Sequence, residues 1–227
     1  MTKNEVWKKT LRRTILPVIL VLGCFLTDSA AQTDQSFERG DLRTLTRAAY
    51  EKLNDLAYRS VRVEENFDGE GGAEKTISEF VPPDRRHTII EKKTEKGVKT
   101  DEYIYVDGIG YHRTDDEDWQ IIRGGSGSGS GNGSGIGETP IITEERRLVR
   151  GQIVGKQKAD LYEIVTTHKF TDHSNIYESR VWLNEAGLFV KTESKTSYGI
   201  SKKTYRTTVD YEYDPKIKIE APEIKKQ

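Results

Sequence analysis

Cysteine, methionine and long apolar runs are nearly absent from this chain of 227 residues. It contains one methionine and one cysteine, Cys24, so no disulfide can join two parts of the chain. An ordered fold must therefore rely on its hydrophobic core. The apolar run at 15–26 is well short of the roughly 20 residues that a membrane-spanning helix needs. This run alone does not predict a membrane span.

The sequence also lacks an excess of charge of one sign. It has 36 basic and 37 acidic residues, and its formal net charge is −1 at pH 7. No block of like charge marks a surface for a polyanion. The composition therefore predicts no nucleic-acid partner.

The first 31 residues have the order of a secretory signal peptide. Basic residues come first, the apolar run 15–26 follows, and the small residues Ser29, Ala30 and Ala31 complete the pattern. The basic residues are Lys3, Lys8, Lys9, Arg12 and Arg13. This order predicts a signal peptide over 1–31 and export to the periplasm or cell envelope.

Two processing sites are compatible with this leader. Cleavage after Ala31 is favoured, because the apolar run continues to Leu26 and the small residues come after it. In the alternative, the segment 21–24 resembles the lipobox of bacterial lipoproteins, and Cys24 would be acylated. Acyl chains there would hold the protein on a membrane, since each buried CH₂ contributes about 0.8 kcal/mol. In either case we expect 32–227 to form one domain.

One amphipathic helix is predicted after the leader. Apolar residues recur at spacings of three and four after Asp41, which we take as the N-cap. The stripe consists of Leu42, Leu45, Ala49, Leu53 and Leu56. A single helix cannot bury such a stripe alone, so we expect it to pack against another element.

The rest of the sequence is typical of β-strands. Segments rich in β-forming residues alternate with turn signals such as Asp107-Gly108. The predicted strands are 58–67, 74–82, 85–94, 98–106, 109–114, 117–122, 147–155, 159–170, 175–184, 187–197 and 201–213. The simplest arrangement is one continuous, strongly twisted meander. The predicted fold class is α+β, mainly β: a curved antiparallel sheet wrapped around the N-terminal helix.

A run of glycine and serine over 124–137 separates two groups of predicted strands. Such a composition cannot bury apolar area, so we expect a disordered loop inside one domain. The run lacks the lysine and the strand–loop–helix context of a phosphate-binding loop. Directly after it, 139–147 is the one further segment in which we expect a short helical turn, with Thr143 before Glu144 and Glu145 as its cap.

No group of residues predicts catalysis. His168 and His173 are five residues apart, with Asp172 beside them, but no third histidine or cysteine at ligand spacing supports a metal site. The acidic run 115–118 lacks the spacing and the glycine of a calcium loop. No Gly-x-Ser-x-Gly elbow is present in a strand–turn–helix context. We therefore predict a protein without metal, cofactor or enzymatic activity.

Aromatic residues on the predicted strands are the strongest remaining signal. Two interpretations stay open, because sheet packing and a ligand cavity both need an inward apolar face. In the cavity interpretation, the ligand-binding candidates are Leu53, Val61, Val63, Tyr103, Tyr105, Trp119, Tyr162, Trp182, Tyr205, Val209 and Tyr211. We expect Val61, Val63, Val209 and Tyr211 to share the inward face that the helix covers.

Six short motifs follow one another along the chain. They are YRSVRV at 58–63, FVPPDR at 80–85, YIYVDG at 103–108, GKQKADLYE at 155–163, VWLNEAGLFVK at 181–191 and IKIEAP at 217–222. Together with the leader and the helix, they resemble the LolA/LolB-like superfamily of exported lipid and lipoprotein carriers. That superfamily includes the mycobacterial LppX/LprG-type lipoproteins.

The resemblance implies an incomplete β-barrel whose concave face holds an apolar cavity closed by helices. It also implies an envelope protein that binds a lipid, a lipoprotein acyl chain or another hydrophobic ligand there. The carriers have further helices in the middle of the chain, near where this sequence has its Gly/Ser run. An alternative of another class is a sensor or interaction module that resembles RseB-type regulators. In that case an envelope protein or peptide would bind, for example at a sheet edge.

Overall fold

The computed structural model describes residues 36–66, 73–122 and 139–224, all within the unit Gln32–Gln227. Predictions for the signal peptide, for Cys24 and for the Gly/Ser run concern residues outside these ranges. Within these ranges, no helix is both long enough and apolar enough to cross a membrane.

The single helix of the described residues, α1, runs from Arg39 to Leu53. It begins before the predicted cap, so Asp41 lies in the first turn, where its carboxylate faces the positive end of the helix dipole. The helix buries Leu42, Ala49 and Leu53. The rest of the predicted stripe is different: Leu45 is 36% exposed because it lies to one side of this row, and Leu56 follows the end of the helix.

All eleven predicted strands are present. They are β1 (Tyr58–Asn66), β2 (Glu74–Val81), β3 (Arg85–Thr94), β4 (Gly97–Val106), β5 (Ile109–Thr114), β6 (Gln120–Ile122), β7 (Ile141–Val154), β8 (Gln157–Lys169), β9 (Ser174–Asn184), β10 (Phe189–Tyr198) and β11 (Thr204–Tyr213). The helical turn predicted over 139–147 is wrong, because β7 already begins at Ile141 and pairs with β8. Cross-strand pairing with β8 overrides the local capping pattern around Thr143.

The strands form one antiparallel sheet in the order β6-β5-β4-β3-β2-β1-β11-β10-β9-β8-β7. The mainly β class with an open antiparallel sheet is thus confirmed. The prediction of one continuous meander is wrong, because β6 and β7 are opposite edges of the sheet. Two meanders, β1–β6 and β7–β11, are instead joined by the long pairing of β1 with β11, from Tyr58↔Tyr213 to Asn66↔Tyr205.

The register of the sheet assigns each residue to one of two faces, because directly paired residues point the same way. We call the face that α1 packs against the helix face, and the other the outer face. Tyr211 pairs with Ser60 and Val209 with Arg62, so these residues lie on the helix face. Val61 and Val63 alternate with them and lie on the outer face, so the prediction that they share a face with Val209 and Tyr211 is wrong.

The main core lies between α1 and the helix face of β8–β11 and β1. Its buried residues are Leu42, Ala49, Leu53, Ile164, Val181, Leu183 and Phe189. Partly buried aromatic residues pack around it, including Tyr58, Tyr162, Tyr211 and Tyr213. A second cluster lies on the outer face of β7–β10, around Leu161 and Trp182. A register shift between Phe189 and Lys191 allows Phe189 to join the first cluster and Val190 the second.

The β2–β6 half of the sheet has no such core on its helix face. Its buried residues are Val106 and Tyr111, which both lie on the outer face. The helix therefore covers one part of the helix face, and the aromatic side chains of the other part stay partly exposed.

Candidate functional site

A groove of about 650 Å³ lies on the helix face of β2–β5, at the end of the sheet where β3 and β5 begin. We call it the aromatic groove. One row of paired residues crosses it from β2 to β6, and a second row lies beside it. The first row is Phe80, Arg86, Tyr105, Gly110 and Ile122, and the second includes Thr88 and Tyr103. The volume of the aromatic groove is in the usual range for a small-molecule site, roughly 300–1,000 Å³.

Gly110 lies between Tyr105 and Ile122 in the row and adds no side chain to the groove. A Cβ atom at this position would meet Ile122 Cβ at 3.4 Å, an ordinary van der Waals contact, so a larger side chain here would extend into the groove. The flanking side chains keep substantial exposure: Tyr105 is 45% exposed, Ile122 42% and Tyr103 37%. An adjacent set of exposed rings and aliphatic side chains is typical of a binding surface.

Charged and aromatic groups surround these apolar walls. Arg86 lies over the ring of Phe80, with its guanidinium carbon 6.0 Å from the ring centroid. His112 stacks on Tyr103 at 4.5 Å between ring centroids. Asp84, at the turn between β2 and β3, is the carboxylate of the groove lining. The groove therefore combines apolar walls with a small number of polar groups at its margin.

A second cavity, of about 550 Å³, lies beside α1 on the same face. Leu53, Tyr58 and Tyr211 form its apolar wall, and helix residues such as Arg43 and Arg47 form its polar wall. The rings of Tyr58 and Phe80, 5.6 Å apart, stand between this cavity and the aromatic groove. The two cavities are thus neighbours along one face of the sheet.

Tyrosines beside the helix are strongly desolvated. Burial, together with the nearby Tyr50 and Tyr58, raises the pKa of Tyr211 to about 12. Burial also raises the pKa of Tyr213, whose hydroxyl donates a hydrogen bond of 2.8 Å to the carbonyl of Phe189. Both hydroxyl groups are therefore neutral at physiological pH. Their hydrogen bonds to Thr192 and to the carbonyl of Phe189 link β11 to β10.

Seven of the eleven predicted ligand-binding residues belong to the helix face or to α1. Tyr103 and Tyr105 line the aromatic groove, and Leu53 and Tyr211 line the cavity beside α1. The other three have different surroundings. Tyr162 packs in the main core against Phe37, Tyr205 lies beside Tyr198 at the far end of the sheet, and Val209 is half-buried between Thr192 and Arg62.

Four predicted residues lie on the outer face, away from both cavities. Besides Val61 and Val63, these are Trp182 and Trp119. Trp182 is 9% exposed in the outer cluster, where its indole N–H donates to Gln152 Oε1 at 2.9 Å. Trp119 lies under the guanidinium of the outer-face residue Arg113, 4.7 Å from its ring centroid. Strand alternation places Val61, Val63 and Trp182 opposite the helix face, and the contact with Arg113 places Trp119 there.

Several groove residues were not predicted from the sequence. Phe80, Arg86, Gly110 and Ile122 come from four different strands and meet only through the register. The alternation of β4 does mark Tyr103 and Tyr105 as neighbours on one face. No local pattern identifies the partners that lie opposite them.

Ion pairs cover the outer face of the sheet. On β8–β11, Glu193 accepts hydrogen bonds from Arg180 at 3.0 Å and Arg206 at 2.9 Å, and Arg180 also binds Glu163. Burial would raise the pKa of Glu193, but the hydrogen bond and charge of Arg206, with the charge of Arg180, lower it below its usual value. On the other half, His87 lies between Glu79 and Glu102.

Metal-ligating residues do not cluster in the described part of the chain. Its His, Cys, Asp and Glu side chains form no group of three that could hold a metal ion. Of the two histidines considered above, His168 lies against Tyr177, and His173 stacks on Phe170 and bonds Asp172.

Several solved structures are similar to this chain, and three of them are as follows. LprF from Mycobacterium bovis matches 83% of this chain and 99% of its own, at 10% identity and a TM-score of 0.43. A LolA superfamily protein from Nitrosomonas europaea matches 75% of this chain and 90% of its own, at 12% identity and a TM-score of 0.29. MucB, in complex with MucA(peri), matches 75% of this chain and 55% of its own, at 17% identity and a TM-score of 0.27.

No protein-family model and no curated protein matches the chain. One of the three similar structures is a LolA superfamily protein, the superfamily that the sequence motifs resemble.

Proposed function

We propose that this protein binds a lipid, a lipoprotein acyl chain or another hydrophobic ligand in the aromatic groove, as an exported protein of the cell envelope. The groove is the single observation on which this proposal rests, because its rings are exposed while the same face is packed under α1. In this proposal the sheet curves around α1, and the groove and the cavity beside α1 share its concave face.

The physical basis is the hydrophobic effect. Each CH₂ group that leaves water contributes about 0.8 kcal/mol, so a long acyl chain offers several kcal/mol of binding energy. The walls provided by Phe80, Tyr103, Tyr105 and Ile122 can take up this apolar surface. Tyr103, Tyr105 and Ile122 are partly exposed, so a bound apolar chain would remove further apolar surface from water.

We also propose that the protein binds without catalysing a reaction. The lining of the aromatic groove includes Thr88 and Asp84 but neither cysteine nor histidine, the residues that most often act as activated nucleophile and general base. The polar groups, Asp84 and Arg86, are at the margin. Such a site is suited to holding a ligand rather than activating one.

The experiment is titration of the purified protein with a fluorescent fatty acid, comparing wild type with Gly110→Leu. The backbone at Gly110 is ordinary strand, so the new side chain fills the groove without a forbidden conformation. We expect at least a tenfold loss of affinity. Gly40→Leu is the matched control, since a side chain there meets open space on the helix. Equal binding by wild type and Gly110→Leu would refute the groove as the site.

A second candidate function is an envelope interaction module. The observation that favours it is the exposed edge strand β7, which is 14 residues long. Ile141 is 69% exposed and Ile142 59%, at the end of the edge away from the register shift at Val149–Gln152. An extended peptide could pair with this edge. In an interaction module, Glu145→Pro would weaken binding of the peptide partner and leave fatty-acid binding unchanged. In a carrier, Gly110→Leu would weaken fatty-acid binding and Glu145→Pro would have no effect on function.

The location is proposed from the sequence and has its own test. We propose cleavage after Ala31, so the secreted chain would begin at Gln32. N-terminal sequencing and intact mass of the protein from its host distinguish this form from one that begins at acylated Cys24. A diacylated or triacylated mass would make the protein a membrane-anchored lipoprotein.

A further inference from the structure

The aromatic groove contains a cation without a carboxylate partner. Arg86 stands on the helix face between Phe80 and Tyr105, to which it is directly paired in the sheet. It is exposed, and none of the ion pairs between described residues includes it. The preceding residue is different: Arg85, on the outer face, pairs with Asp107 at 3.4 Å and donates to the carbonyl of Ile219.

The carboxylates near the groove do not neutralise Arg86. Asp84 lines the groove but lies beyond ion-pair distance from it. Asp101, further along the helix face, accepts a hydrogen bond of 2.9 Å from Thr114 and lies 3.5 Å from Lys99. The guanidinium therefore keeps its donors available at the margin of an apolar surface.

A cation in this position distinguishes between ligands of different charge. An apolar surface lowers the local dielectric constant, so an anion bound to Arg86 gains more there than at an ordinary exposed arginine. A cationic ligand would meet repulsion from Arg86, although the rings of Tyr103 and Tyr105 would otherwise attract it. A neutral ligand would use the rings alone.

We infer that the ligand of the aromatic groove is an anionic amphiphile, with its apolar chain on Phe80, Tyr103, Tyr105 and Ile122 and its carboxylate or phosphate on Arg86. This inference rests on the proposed function and names the ligand class of the same site. A free anion is not the ligand, because one arginine without further donors offers no cradle for it.

The test compares two probes with the same chain, the fluorescent fatty acid cis-parinaric acid and its neutral methyl ester. With the full-length mature protein, the acid binds more tightly than the ester, and its affinity falls as salt is added. Arg86→Gln weakens binding of the acid about tenfold and leaves binding of the ester unchanged. Arg86→Lys restores part of the affinity, since it restores the charge but not the planar fork.

The matched control is Lys92→Gln, which removes a charge from the same strand and the same face outside the groove. It leaves the affinities for both probes unchanged. Asp84→Asn leaves the affinity for the acid unchanged or raises it, because it removes a negative charge near the negatively charged head group. Thermal unfolding of each variant verifies that it is folded.

The outcomes separate this inference from the proposed function. If Arg86→Gln lost the same affinity for the acid and for the ester, the ligand would not be an anion. Equal affinity of the wild type for both probes would lead to the same conclusion. In both cases the hydrophobic site would remain. Displacement of the acid by millimolar inorganic phosphate would identify a free-anion site and also overturn it. Failure of wild type to bind either probe would remove the proposed function itself.

Discussion

The two halves of the helix face use the same sheet in opposite ways. On β8–β11, apolar residues such as Ile164, Val181 and Phe189 are buried beneath α1. On β2–β6, the aromatic residues Tyr103 and Tyr105 of the same face remain between one third and one half exposed. The first region is a core, and the second is a groove.

The difference follows from what one helix can cover. A helix is about 10 Å wide, whereas strands are about 4.8 Å apart, so α1 covers only a few of eleven strands. The strands that it covers carry aliphatic residues in its path. The other strands mix aromatic residues with Arg86, Thr88 and Gly110, a combination that forms no dry core. The comparison predicts that stability depends on the first region and binding on the second.

The largest effect on stability is expected for Leu53→Ala, in the covered region. Leu53 is 5% exposed, so the truncation leaves a cavity between α1 and the sheet. We expect a loss of about 2–5 kcal/mol in the free energy of unfolding, measured with urea. Leu45→Ala, at a residue of the same helix that is 36% exposed, is the control and should cost much less. Equal losses would show that α1 does not form this core.

A smaller effect is expected for Glu193→Gln on the outer face of the covered region. The change weakens the hydrogen bonds to Arg180 and Arg206, with an expected loss of about 1–3 kcal/mol. The native pKa of Glu193 is lowered, so its contribution is present above the ordinary carboxyl pKa of about 4.3. The contribution is lost as pH falls through the lowered value. The free energy of unfolding, measured with urea at each pH, should therefore fall less between pH 7 and pH 2 in Glu193→Gln than in wild type. The control Glu185→Gln should show the same pH dependence as wild type.

Alkaline pH should reveal the covered core through Tyr211. Its native pKa is about 12, and the ordinary tyrosine value is about 10. The folded state therefore holds this proton more tightly, and its stabilisation is constant below pH 10 and falls between pH 10 and 12. Tyr211→Phe should reduce the loss of melting temperature in that range. If the melting temperature of Tyr211→Phe fell as much as that of wild type between pH 10 and 12, the hydroxyl of Tyr211 would be hydrated in solution.

The smallest effect on stability is expected for Tyr105→Ala in the aromatic groove. Tyr105 is 45% exposed, so we expect a change in unfolding free energy of at most about 1 kcal/mol. Binding of the fatty acid should nevertheless weaken at least fivefold. The control is Tyr198→Ala, which removes a similarly exposed ring of the helix face outside the groove. A large loss of stability in Tyr105→Ala would show that the groove contributes to the folded core as well as to binding.

Local patterns predicted the elements well and their arrangement only in part. The alternation in 201–213 and the turn at Asp107-Gly108 identify strands because both signals lie within a few residues. Pairing of β1 with β11, however, joins residues 139 to 155 positions apart, which no local pattern encodes. The face of Val61 and Val63 depends on this pairing, since a shift of one residue exchanges the two faces.

The same distinction applies to the candidate site. The sequence analysis includes Tyr103 and Tyr105 among the cavity candidates, and alternation within β4 places both on one face. It could not show that Trp119 and Trp182 belong to the outer face, where Arg113 and Gln152 contact them. It also could not identify Arg86 or Gly110, because their importance comes from neighbours on other strands.

By itself, the sequence determined the amphipathic helix and the eleven strands that are found within 36–66, 73–122 and 139–224, since the periods of apolar residues are local properties. It also determined that no disulfide supports the fold, because it contains a single cysteine. Only the tertiary structure decided which strands are edges, which residues share a face and which part of that face α1 covers. These depend on strand register and on the finite width of one helix, and they leave the aromatic groove open beside a packed core.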